Sequence, residues 1–175
     1  MRLILLLTAL LAFQSAAASE FDEMKALADQ GYADAQFYLG NVYLNGEGLQ
    51  ENVVEAVKWY RKAADQGYVK AQFNLAQAYF IGKGVPKNGA EAVKLYRKAA
   101  EQGDSQAHYE LGVLYGVGKG TKKDYSNAYL WWLISARLGG EADLEFAAGL
   151  LEEKEIMKTK LLAVKCYESN YQECD

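Results

Sequence analysis

The side chains best suited to chemistry near neutral pH are few here: one histidine, His108, and two cysteines, Cys166 and Cys174. His108 occupies the repeat position held elsewhere by Gln36 and Gln72. It is therefore expected as a surface substitution in a repeat rather than as a general base. One histidine and a cysteine pair expected to be oxidised cannot assemble a zinc site from the usual nitrogen and sulfur ligands. Gly116-Val117-Gly118-Lys119-Gly120 has the look of a phosphate loop, but Gly120 follows Lys119 and the G-x-x-x-x-G-K-[ST] order is missing. Carboxylates such as Glu110, Asp124 and Glu145 could pair in space, yet nothing in their spacing picks out two. No catalytic residue, metal or cofactor is expected, and the chain does not read as an enzyme.

Cys166 and Cys174 are better suited to structure. Eight residues along one continuous helix would separate them by about 12 Å, too far for a disulfide. A bond requires the last helix to stop between them, and Ser169-Asn170 is a suitable stop, because asparagine tolerates the left-handed cap conformation. The expectation is a tail that folds back and is stapled to the last helix; two free or intermolecular thiols are the alternative. The spacing excludes a C-x-x-C redox role.

The elements that must hold these residues are set by a repeat. Gly31, Gly67, Gly103 and Gly139 recur every 36 residues, as do Ala35, Ala71 and Ala107, and Leu39, Leu75 and Leu111. Tyr43, Tyr79 and Tyr115 follow the same period, and so do the paired glycines Gly46/Gly48, Gly82/Gly84 and Gly118/Gly120. A period in this range signals stacked supersecondary units. Each unit reads as two helices. In the first, Asp34 to Leu44, the residues Ala35, Leu39, Val42 and Tyr43 form one apolar face, and the double-glycine loop stops it. In the second, about Val53 to Asp65, the buried stripe is Ala56, Trp59, Tyr60, Ala63 and Ala64. Tyr43, Tyr79, Tyr115 and the tryptophans are expected in the core. The fold class expected is all-α: a right-handed α/α solenoid of stacked helix pairs with 36-residue repeats.

The divisions follow from the phase of the repeat. Residues 1–18 read as a signal peptide, with Arg2, an apolar run from Leu3 to Phe13, and Ala16 and Ala18 before a cut at Ser19. That run is well short of the roughly 20 residues of a membrane span. Residues 19–31 align with a second helix alone. Full repeats occupy 32–67, 68–103 and 104–139, and 140–175 is a degenerate capping repeat with the cysteine pair. In the cap, Glu141 to Leu151 keeps a helical pattern and a last helix is expected near Glu155 to Glu168. The chain carries a net charge of −4, and losing Arg2 with the leader makes it −5. Acidity excludes a nucleic-acid partner, which needs a basic footprint. Lys58, Arg61 and Lys62 recur as Lys94, Arg97 and Lys98, but alternate with Asp65, Glu91 and Glu101 as a solvated helix face. An exported protein, periplasmic or secreted, with no membrane insertion after cleavage, is the expectation.

The pattern Ala35, Leu39, Gly40, Tyr43, then Gly46 and Gly48, then Ala56, Trp59, Tyr60, Ala63, Ala64 and Gly67 resembles the Sel-one-like repeat, a relative of the tetratricopeptide repeat. The second unit departs from it at Ala76 and Leu95, the third at Trp132 and Ser135. The resemblance implies a superhelical adaptor for a protein or peptide partner, in exported bacterial members tied to the envelope or to host contact. It also implies that first helices line the concave surface. Off the packed stripe there lie Phe37, Asn41, Leu44, Phe73, Gln77, Phe80, Tyr109 and Val113, a mixture of rings and amides suited to anchoring a partner. Phe37, Phe73 and Tyr109 could equally be inter-repeat core, whereas Asn41 and Gln77 are expected to be exposed. A cysteine-rich branch of the family implies an alternative, a cell-wall-related or β-lactam-binding hydrolase. That branch has a cysteine pair in each repeat, and this chain has none within its full repeats.

Overall fold

The computed structural model describes residues 21–171, 173 and 174. The expected signal peptide and its cut site lie outside them. All regular elements among the described residues are helices. The chain divides into two compact units, Met1–Tyr68 and Val69–Asp175.

In the first unit, α1 is helical over 21–29, α2 spans Ala33–Asn45 and α3 spans Val53–Asp65. The chain leaves α2 through Gly46, whose φ of 70° lets its amide bond back to the Val42 carbonyl at 3.0 Å. Asn52 then closes the loop twice. Its amide donates to the Tyr43 carbonyl at 2.8 Å, and its side chain accepts from the Glu55 amide at 3.0 Å to cap α3. Ala28, Ala35, Leu39 and Trp59 form the buried cluster, with Phe21, Met24 and Tyr43 packed on it. Gly40 sets the distance between α2 and α3: a Cβ there would lie 2.6 Å from Cε1 of Tyr60.

The second unit repeats this device and then ends it. Helices α4 (Val69–Ile81) and α5 (Gly89–Ala100) pair, as do α6 (Ser105–Val117) and α7 (Tyr125–Arg137), and α5 packs on α6. Asn88, Asp104 and Asp124 cap α5, α6 and α7 with their side-chain oxygens. Helices α8 (Leu144–Ala148) and α9 (Glu153–Glu168) both pack on α7. A capping box between Glu152 and Glu155 starts α9.

Several expectations need correction. The helical pattern from Glu141 to Leu151 yields only the five-residue α8. Leu144, Ala148 and Leu151 all reach the cluster around Trp132 and Ala147 without a longer helix. Tyr43, Tyr79 and Tyr115 are half-buried rather than core, whereas Trp59, Trp131 and Trp132 are buried. His108 is not on the surface: it is 0% exposed, and Gln36 and Gln72 are buried with it.

Candidate functional site

The repeat position of Gln36, Gln72 and His108 lies inside because each side chain finds an internal partner. The Gln36 side-chain amide donates to the Ala28 carbonyl at 3.1 Å, and its oxygen accepts from Nε2 of Gln66 at 2.8 Å. In the second unit, Gln102 donates in the same way to Gln72, at 2.8 Å. The third repeat has Leu138 where that donor would stand. There Nδ1 of His108 lies 2.7 Å from the Asp104 carbonyl, and Nε2 has no partner among the described residues. The imidazole packs against Trp131 and Tyr171, with centroids 5.6 and 5.1 Å away. Burial pushes its pKa below the usual 6.5, against a smaller upward pull from Asp104. A neutral ring enclosed by aromatics has no substrate access to act on.

Tyr171 reaches His108 because the tail is stapled. Cys166 and Cys174 are bonded, with their Cα atoms 4.5 Å apart. Helix α9 ends at Glu168, and Asn170 and Tyr171 take φ of 53° and 67°, so the chain reverses between the cysteines. The Tyr171 amide donates to the Cys166 carbonyl at 2.8 Å, and its ring also covers Gly103 at 3.6 Å from where a Cβ would stand. Sequence reasoning found the staple but not its target. The signal was there in the lone His–Leu pair at positions that carry Gln–Gln elsewhere.

The expected partner-binding residues separate by unit. In the first unit, Phe37 is 7% exposed and packs among Tyr38, Tyr60 and Tyr68 as core. Asn41, expected to be exposed, is half-buried and accepts the Tyr60 hydroxyl at 2.6 Å. In the second unit, Gln77 is exposed, and Phe73, Phe80, Tyr109 and Val113 are half-buried. Phe73 meets Tyr96 edge-on at 5.3 Å. The Tyr109 hydroxyl donates to Asp143 at 3.2 Å, while its carbonyl accepts Nε1 of Trp132 at 3.1 Å. Glu110 beside it is half-buried, and its pKa is raised by burial and by the Glu141 charge. The Tyr96 hydroxyl, buried and without a hydrogen bond among the described residues, is pushed up by burial and by Glu110.

Other chemistry is sparse. A groove of about 370 Å³ between the start of α7 and α9 is lined in part by Asp124, Asn127, Glu155 and Thr159. Asp124 is committed there to the amide of Asn127 at 3.0 Å as the α7 cap. Among the described residues no three His, Cys, Asp or Glu side chains are grouped to hold a metal ion.

The Sel1 repeat model matches residues 33–68, 69–104 and 105–140, more than half of the chain. The chain belongs to the Sel1 repeat family. Its helix pairs of about 36 residues are those of the α/α solenoids in that family. Among solved structures, a protective antigen of uropathogenic Escherichia coli displaying an SLR fold is 39% identical with a TM-score of 0.66, over 68% of this chain and 26% of that one. A Sel1 repeat protein from Oxalobacter formigenes is 43% identical with a TM-score of 0.66, over 68% of this chain and 47% of that one. The chain therefore spans less than half the length of either. Cysteine-rich protein B of Helicobacter pylori is 25% identical with a TM-score of 0.53, over 75% of this chain and 96% of that one. No curated protein sequence matches.

The Sel1 matches start one residue later than the phase taken from the glycines. They end at residue 140, so the disulfide lies beyond the last matched Sel1 repeat. Within the Sel1 pattern, Ser135 of the third repeat replaces an alanine at no cost in burial. Its hydroxyl is fully enclosed but donates to the Ser105 carbonyl at 3.0 Å.

Proposed function

We propose that the chain is an exported, non-enzymatic adaptor that binds a protein partner across the first-helix face of its second unit, on α4 and α6. Sel1 repeat proteins are generally protein-interaction adaptors. The observation that carries the choice of face is the contrast between repeats. Phe37 and Asn41 are spent on packing, while their counterparts include an exposed Gln77 and half-buried rings at Phe73 and Tyr109, with Phe80, the counterpart of Leu44, half-buried beside them. Rings held by packing, next to an amide free to orient a partner, make an anchor at small entropic cost. Export rests on the leader pattern of residues 1–18 and on the disulfide, which suits an oxidising compartment. The hydrolase alternative is not adopted. It calls for cysteine pairs within the repeats, and the one disulfide among the described residues lies after them.

The test is chemical crosslinking of the tagged chain in cells, read by mass spectrometry. One dominant protein partner is expected. Gln77→Arg should abolish its capture and change stability by less than about 0.5 kcal/mol, as befits an exposed site. Phe73→Ala added to it should lower the melting temperature, because that ring supports Tyr96. An unchanged capture pattern in Gln77→Arg would move the partner to another surface.

A further inference from the structure

The loops after α4 and α6 differ from the loop after α2 at three repeat positions, always in the same sense. Asn45, Glu47 and Glu51 of the first repeat become Ile81, Lys83 and Lys87 in the second, and Val117, Lys119 and Lys123 in the third. The turn does not demand this. All three loops use the same two left-handed glycines and an asparagine or aspartate cap, and the first does so with glutamates.

The four lysines, joined by Lys122, are exposed and form no ion pair among the described residues. Loop 82–88 contains no acidic residue, and loop 118–124 has one, Asp124, committed to capping α7, although the chain as a whole carries −4. Ile81 and Val117 are each 54% exposed at the helix ends beside them. The loops form one edge. Nζ of Lys87 and Nζ of Lys119 lie 5.9 and 5.2 Å from the Phe80 ring centroid, and a Cβ on Gly120 would overlap the Gly89 backbone.

We propose that this edge of the second unit docks on an anionic lipid bilayer, with the ammonium groups meeting headgroup phosphates and Ile81 and Val117 entering the interface. Lysines are mobile point charges rather than rigid forks, which suits a fluid array of headgroups better than a fixed carboxylate pattern. The two aliphatic tips gain from an apolar interface and would gain little from a hydrated acidic segment. The edge meets the proposed partner face at Phe80, but Gln77→Arg leaves every lysine and both aliphatic tips in place, so the two readings are tested separately.

The test is cosedimentation of the exported chain with vesicles of equal parts phosphatidylcholine and phosphatidylglycerol, against phosphatidylcholine alone. Binding is expected only to the first, and it should fall with added salt. The variant K83E/K87E/K119E/K123E carries the first loop's glutamates, so it should keep its helicity by circular dichroism. It should lose more than about a hundredfold in affinity, at roughly fivefold per lysine. The variant I81N/V117N, which restores the first repeat's asparagine, should bind more weakly at every salt concentration. Equal association with both vesicles, no association, or undiminished binding by the quadruple variant would each overturn the proposal. So would binding by I81N/V117N equal to the wild type together with displacement by soluble polyglutamate, which would assign the edge to an acidic protein segment.

Discussion

Two residues show how much of the third repeat is decided by single side chains. Trp132 stands where Tyr60 and Tyr96 stand in the other repeats, and its larger ring fits only because Gly112 faces it. A Cβ on Gly112 would overlap the indole nitrogen, which is itself engaged by the Tyr109 carbonyl at 3.1 Å. Gly112→Ala should therefore cost about 1 to 3 kcal/mol by overpacking, read as a lower midpoint in urea. His108 makes a different prediction. Burial lowers its pKa below 6.5, so as pH falls the unfolded chain takes up a proton that the folded chain refuses. Stability should decline from about pH 6.5 downward until the folded pKa is passed, and be unaffected by this group above that window. His108→Gln removes the group. The difference in unfolding free energy between wild type and variant should be flat at neutral pH and fall below it; a pH-independent difference would mean the ring is solvated.

At the scale of elements, the sequence spoke clearly wherever a backbone requirement and an apolar stripe agreed. The double-glycine loops were legible because Gly46 and its counterparts need positive φ, and α3 came out at its expected bounds, Val53–Asp65. Where polar side chains bury themselves in pairs, the local pattern misleads. Gln36 looks like surface until Gln66, thirty residues on, is seen to satisfy it, and Asn41 looks exposed until Tyr60 donates to it. The cap was half legible: Ser169 and Asn170 marked the reversal, but α8 was overread because five helical residues and a turn already bury its stripe. The staple then has a measurable job. Replacing both cysteines by serine should cost about 2 to 3 kcal/mol through the freed loop. It should also release Tyr171 from His108, so that the imidazole proton resonances titrate closer to 6.5. Loss of stability with an unmoved histidine titration would show that the tail stays docked without the bond.

For the molecule as a whole, its two ends make linked demands on where it resides. The first 18 residues carry the export pattern, and the last ten carry the disulfide that holds Tyr171 against the third repeat. A thiol pair is kept reduced in the cytosol and becomes a stable disulfide outside it, so under the export proposed above completion of the C-terminal cap would depend on the N-terminal leader being read. The exported chain should begin at Ser19 by intact mass and offer no thiol to an alkylating reagent. The same chain with arginines placed within Leu3 to Phe13, which blocks export, should retain Met1 or Arg2 and take up two alkyl groups. It should also melt lower by the contribution of the staple, and the gap should close on oxidation in vitro. An exported chain with both cysteines alkylatable would break the link and leave the tail held by aromatic packing alone.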